Sequence, residues 1–406
     1  MPIALTGMVL GLSAVHSYPQ AKAQTFTQIE SPQELVDEVW QIVDKSYVDP
    51  TFNNQDWQAV RQDFLSRSYP SDQAVYEALK EMMGLLGDPF SRFMNPTEFR
   101  NLQVDSSGER TGIGLQLSQE QDTQEIVVVS PIDGSAAFEA GIFPGDILLS
   151  IDSISTADMS LDDAVARLQG AIGSEVEVSI QREQVQQTFQ IRRVPFEVRP
   201  VQSRIQETDA GNIGYIRLTQ FSASASSNMR TAMTDTAAAG VDGYILDLRS
   251  NPGGLLYAAV DIAQLWIQSG LILSVIHREG VTDEIEANGR ALTDKPLVVL
   301  VDAGSANASE ILAGALQGQQ RAILVGAPTY GNNLIQSVRG LSDGSGLAVT
   351  VAKWYLPNGQ DVSDTGLQPD IRVELTAAQW QTLVREKNIG TLSDPQFVAA
   401  VAALLP

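Results

Sequence analysis

The sequence predicts a mixed α+β and α/β chain divided among several domains, and three observations carry that expectation. Its 406 residues exceed what one hydrophobic core usually serves. At the polar stretch VDSSGERTG, residues 104–112, apolar spacing changes from steps of three and four to alternation. From residue 213 onward, short apolar runs alternate with longer helical patterns, as in a covered, mostly parallel sheet.

Taken in order, the first 23 residues read as a leader. An apolar run over 3–15 is too short to span a bilayer, and Ala21-Lys22-Ala23 has the small-x-small form of a cleavage site. No charge precedes Lys22, so the usual basic start is missing. Cleavage would begin the mature chain near Gln24 and place it outside the cytoplasm, in a periplasm or a thylakoid lumen.

Residues 24–106 read as a helical region. Leu35, Val36, Val39, Trp40, Val43 and Tyr47 fall on one helix face with Ser31 as the N-cap. A second helix starts at Ser71 and stops by Gly87 and Pro89. Residues 107–195 then read as a compact strand-rich unit: GIGLQLS, EIVVVS, DILLSID and SEVEVSIQR are strands, and SLDDAVARLQG is a helix capped by Ser160. Residues 196–406 carry the alternating strands and helices of a core with a C-terminal region.

Composition narrows the chemistry. The absence of cysteine removes disulfides, thiolate nucleophiles and cysteine-based zinc sites. The histidines are His16, in the leader, and His277, in a strand-turn segment that reads as exposed. Imidazole metal centres and a Ser-His-Asp triad are therefore disfavoured, and neither metal nor other cofactor is expected. A formal net charge of −23 argues against nucleic acid and anionic membrane surfaces as partners and favours a soluble monomer.

Two junctions stand out. DLRSNPGG, 247–254, leaves a buried strand through a glycine turn whose N–H groups can converge on an oxyanion, although the same turn serves as an ordinary strand-to-helix connection. GSANASE, 304–310, sits where a second strand meets a helix start, the edge at which α/β proteins place their chemistry. Ser305 or Ser309 there is equally a helix cap.

Together with GIGLQL, SPIDGSAAFEAGIFPGDILLSID, RAILVGAPTYG and WYLPNGQDVSDTGLQPDI, these junctions resemble the C-terminal processing peptidases, Ser-Lys endopeptidases that carry a PDZ domain. The helical start is most similar to the cyanobacterial and plastid branch. The resemblance implies an inserted PDZ domain over 107–195 and a peptidase core of the ClpP/crotonase-like type. It also implies partners that are C-terminal tails of proteins, lumenal tails of membrane-protein precursors among them. Gly112, Ile113, Gly114 and Leu115 match the PDZ carboxylate-binding loop and the strand it opens, where a peptide adds as an extra strand.

The family's nucleophile is the middle serine of Ser-Ala-Ser-Ala-Ser-Glu. Its base is a lysine twenty-five residues later, and a glutamine four further on orients that lysine. By this resemblance Asn307 stands in the nucleophile position, Asn332 in the base position at the same separation of 25 residues, and Gln336 in the orienting position. Gly253 or Gly254 with the Ala308 amide would form the oxyanion site. A carboxamide neither attacks a carbonyl nor takes a proton near neutral pH. The expectation is a family member without useful turnover that binds tails through its PDZ domain. The alternative is an active peptidase with a displaced nucleophile, Ser305 or Ser309; against it, Lys353 lies on another strand and is expected at the surface.

Overall fold

The computed structural model describes residues 31–404 apart from 108, 120–122, 124, 132–134, 144–145, 158, 160, 183, 198–199, 281, 364, 377–378, 381 and 384–385. The expected leader with His16, and the Ser160 cap, lie outside the described residues.

The chain opens on α1 (Pro32–Ser46), α2 (Trp57–Ser66) and α3 (Asp72–Gly84). Ser31 and Ser71 cap α1 and α3, each hydroxyl accepting a backbone N–H at 3.3 Å. The apolar stripes bury each other, with Leu35, Val36, Val39, Trp40 and Val43 in one core with Val75, Leu79, Met82 and Met83. Two departures from the sequence expectation follow. A short strand, β1 (Arg92–Met94), interrupts the helical region, and α4 (Pro96–Ser107) runs into the stretch expected as a linker. A capping box starts α4: Asn95 Oδ1 accepts from the Thr97 and Glu98 N–H groups, and Glu98 Oε2 accepts from the Asn95 N–H.

An antiparallel ribbon of β2 (Glu109–Gly112) and β9 (Val194–Glu197) leads the chain into and out of the next unit. Between them lie β3 (Leu115–Gln119), β4 (Ile126–Pro131), α5 (Ala136–Glu139), β5 (Ile147–Ile151), β6 (Ile154–Ser155), α6 (Leu161–Leu168), β7 (Glu175–Arg182) and β8 (Val185–Arg192). The sheet order is β3-β4-β5-β7-β8 with β6 beside β5, so β3 is an edge strand. The unit has its own core, built on Ile113, Ile126, Val128, Leu148, Ile151, Val176, Val178 and Ile180.

The remaining elements are β10 (Val201–Thr208), β11 (Gly211–Leu218), α7 (Ala225–Ala238), β12 (Gly243–Asp247), α8 (Leu256–Trp266), β13 (Leu271–His277), β14 (Thr282–Glu286), β15 (Leu297–Val301), α9 (Ala308–Gly318), β16 (Ile323–Gly326), β17 (Leu334–Gly340), β18 (Gly346–Tyr355), β19 (Ile371–Arg372) and α10 (Pro395–Leu404). One sheet runs β10-β11-β12-β15-β16-β19, parallel from β11 onward. Alternate residues serve opposite faces: Ile216 and Leu218 join the core with α7, α8 and α9, while Ile213 and Tyr215 pack against Phe397 and Val401 of α10. Such double coverage explains why β12 and β15 are buried along their whole length.

A second, antiparallel sheet of β1, β18, β13, β14 and β17 was not anticipated from the sequence. It ties the helical region to the core, because β1 pairs with β18 in register Arg92↔Ala348 to Met94↔Gly346. His277 sits on the β13–β14 hairpin, its Nε2 2.8 Å from Asp283 Oδ2. Among the described residues no serine hydroxyl bonds this pair, which fits the surface role expected for it.

Candidate functional site

The C-terminal ends of β12 and β15 place the two expected junctions side by side. The turn after β12 is held by Asn251, whose Nδ2 donates to the Leu218 carbonyl at 2.9 Å and whose Oδ1 accepts from the Gly253 N–H at 3.0 Å. Gly253 and Gly254 have φ of 102° and 139°. A Cβ on Gly253 would stand 3.2 Å from Asn307 Cβ and 3.0 Å from the Ala308 nitrogen. Glycine is therefore what lets the turn lie against the start of α9. The expected oxyanion donors divide accordingly. Gly253 is committed to Asn251, while the Gly254 and Ala308 N–H groups donate to nothing among the described residues.

Asn307 is the N-cap of α9, with φ 48° and ψ −106°. Its Nδ2 donates to the Leu334 carbonyl at 2.9 Å. Asn332 is buried, and its Oδ1 accepts from the Leu334 N–H at 3.0 Å. The two asparagines thus grip opposite sides of one residue. Gln336, two residues further along β17, turns elsewhere: its Nε2 is 3.4 Å from Thr350 Oγ1 on β18. Thr350 in turn donates to Asp88 Oδ2 at 2.6 Å, as does Ser91.

The residue that assembles this arrangement is Glu310, fully buried in the first turn of α9. Its Oε2 accepts from the Asn307 N–H at 2.9 Å and the Asn332 N–H at 3.0 Å. Its Oε1 accepts from Thr329 Oγ1 at 2.6 Å and the Gly331 N–H at 2.7 Å. A buried carboxylate is tolerated when its lone pairs are filled by such donors. Sequence reasoning missed this role, although the Asn-x-x-Glu spacing of a capping box was there to be read.

Ser305 and Ser309 are buried on either side of Asn307. Ser305 Oγ donates to the Leu248 carbonyl and Ser309 Oγ to the Asn251 carbonyl, both at 2.9 Å. Each hydroxyl therefore fastens α9 to the β12 turn, and neither is directed at an amine. Lys353 is exposed on β18, with its backbone in register with Leu334. In the strand-rich unit, the Ile113 carbonyl accepts from the Ala137 N–H at 2.8 Å and the Gly114 carbonyl from Ser135 Oγ at 3.1 Å. Because peptide planes are rigid, the Gly114 and Leu115 N–H groups point away from α5.

Comparison with known proteins matches residues 212–373 to peptidase family S41, 127–182 to a PDZ domain and 30–67 to the tricorn protease C1 domain. The carboxyl-terminal-processing protease of Synechocystis sp. is 43% identical over 92% of this chain and 86% of its own length. The chain belongs to the carboxyl-terminal-processing proteases of family S41. The chloroplastic carboxyl-terminal-processing peptidase 3 of Arabidopsis thaliana is 39% identical, over 89% of this chain and 72% of that protein. Among solved structures, a photosystem II D1 C-terminal processing protease superposes with a TM-score of 0.59 at 34% identity, covering 85% of this chain and 94% of that one. For this S41 family member the mixed α/β multidomain architecture with a PDZ domain is thereby established.

Proposed function

We propose that this S41 family member binds the C-terminal tails of proteins outside the cytoplasm through its PDZ domain and does not cut them. One observation carries the reading. The groups meeting at Leu334, where the family resemblance places nucleophile and base, are the Asn307 and Asn332 carboxamides. With carboxamides in both places, the free Gly254 and Ala308 amides would leave an oxyanion site alone, a remnant worth only ~10³–10⁴ over water in a serine protease.

Binding has more support. Among the described residues, edge strand β3 has one unpaired side, and the loop at its start turns the Gly114 and Leu115 N–H groups away from α5, which suits a terminal carboxylate. A periplasm or thylakoid lumen as the compartment, and a monomeric state, belong to the same proposal. Cyanobacterial and chloroplastic relatives support the compartment. No helix among the described residues is long and apolar enough to cross a membrane. Titrating purified protein with peptides bearing free and amidated C-termini, and following the same mixtures by mass spectrometry, tests both halves. Carboxylate-dependent binding without cleavage is expected. Cleavage that Ser305→Ala or Ser309→Ala abolishes would overturn the non-cutting reading.

A further inference from the structure

At a tetrahedral Cα the side chain stands about 120° round the Cα–C axis from the residue's own nitrogen. A ψ of −106° therefore swings the nitrogen of the next residue to within about 20° of eclipsing Cα–Cβ. At Asn307 this brings the Ala308 nitrogen round to the side on which the carboxamide carbon is attached. Three further features act at the same place. The Ala308 N–H donates to nothing among the described residues, so hydrogen bonding does not withhold that nitrogen. Alanine adds no bulk beyond a methyl group. The positive φ of 48° keeps Asn307 in a strained region that relaxation of the backbone would relieve.

We propose that Asn307 is a site of self-modification, converting through a cyclic imide to aspartate and isoaspartate. The Ala308 nitrogen attacks Asn307 Cγ, forming a C–N bond and closing a five-membered ring. The Cγ–Nδ2 bond breaks, and Nδ2 leaves as ammonia with the proton that the Ala308 nitrogen gives up. Water then opens the imide. Addition at Cγ gives aspartate, and addition at the main-chain carbonyl gives isoaspartate. In the aspartate product the carboxylate stands at the N-cap of α9, the positive end of the helix.

The chain supplies its own references. Asn288-Gly289 and Asn358-Gly359 are each followed by glycine, the least obstructed neighbour for the same ring closure in a flexible chain. Wild-type protein is aged at mildly alkaline pH, folded and in concentrated urea, and each asparagine peptide is followed by mass spectrometry. Enzymatic methylation identifies isoaspartate. In the folded protein the peptide containing Asn307 should lose the mass of ammonia and then regain that of water, at least about tenfold faster than in urea, since near-attack geometry supplies the rate. In urea the two Asn-Gly sites should lead. If Asn307 converts no faster folded than unfolded, or stays intact in the folded protein over a time in which Asn358 converts in urea, the proposal is overturned.

Discussion

Asn307 Nδ2 and the Leu334 carbonyl meet at 2.9 Å, and this contact closes the cleft between the start of α9 and the start of β17. Leu334 is fixed on its other side by Asn332 Oδ1 at 3.0 Å. The two carboxamides complement each other through this one residue, as donor and acceptor. Neither contact needs a charge, and neither offers a proton that hydrolysis could use.

On the proposed non-cutting reading, hydrolysis requires changing both. Asn307→Ser with Asn332→Lys is expected to cleave C-terminal peptides at a measurable rate. Each single variant should remain at least ~10³-fold slower, because nucleophile and base act as a unit. Steady-state cleavage of a fluorogenic peptide reads this directly. Turnover by Asn307→Ser alone would show that another base serves the site. A silent double variant that binds peptide normally would show that the decay extends to Gln336, now bonded to Thr350.

Much of this was legible from residue order alone. Helix stripes with Ser31 and Ser71 caps, the strand alternation of the PDZ unit and the buried runs of β12 and β15 are local patterns, and they announce themselves locally. The two junctions were legible for the same reason. What stayed hidden depends on long-range pairing. β1 is a three-residue strand whose partner lies some 250 residues away, so no periodicity marks it. β18 becomes the centre of a sheet only by pairing with β1 and β13, from distant parts of the chain, as well as with its neighbour β17. Glu310 looked like an ordinary first-turn acid, and only folding brings the Thr329–Asn332 loop onto it. Likewise, nothing local showed that Gly253 would spend its N–H on Asn251 and leave Gly254 free.

Glu310 gives a second prediction. In Glu310→Gln, one of two oxygens that each accept two donors becomes an NH₂ group facing N–H or O–H donors. Leaving buried donors unpaired costs about 2–4 kcal/mol here, read as a lower urea midpoint at unchanged slope. The same change should lower activity in the doubly restored variant, since Glu310 Oε2 is what holds positions 307 and 332 together. A stability within about 0.5 kcal/mol of wild type, an ordinary surface effect, would deny Glu310 that role.

Tail binding can be separated from the peptidase core. Gly114 has φ 79°, and a Cβ there would lie 2.2 Å from Ser135 Cβ. Gly114→Ala must therefore displace the loop that presents the Gly114 and Leu115 N–H groups. Affinity for carboxylate-ended peptides should fall at least about tenfold, or ~1.4 kcal/mol, with the core's unfolding transition preserved. Unchanged affinity would place the tail elsewhere on the molecule.

Acid sensitivity should concentrate at a buried cluster behind the glycine turn. Arg249 is fully buried and bonds both oxygens of Asp247 at 2.9 and 2.6 Å, Asp394 at 2.8 Å and Gln396 at 2.8 Å, while Tyr215 donates to Asp247 at 2.6 Å. Burial pushes the Asp247 carboxyl up, but the Arg249 charge and hydrogen bonds outweigh it and bring the group from 3.8 to about 2. A folded value below the unfolded one stabilises the protein above pH 3.8, and the contribution is lost as the pH falls from there toward 2. The shift corresponds to about 2 kcal/mol. Asp247→Asn leaves Arg249 short of one buried partner, so it should be about 3 kcal/mol less stable at neutral pH. Its further loss between pH 5 and pH 2 should be about 2 kcal/mol smaller than that of wild type. Tyr215→Phe, which removes a single donor, should show a weaker form of the same change if Asp247→Asn folds poorly. Urea unfolding across this pH range measures both, and parallel acid profiles in all three proteins would move the sensitivity to other carboxylates.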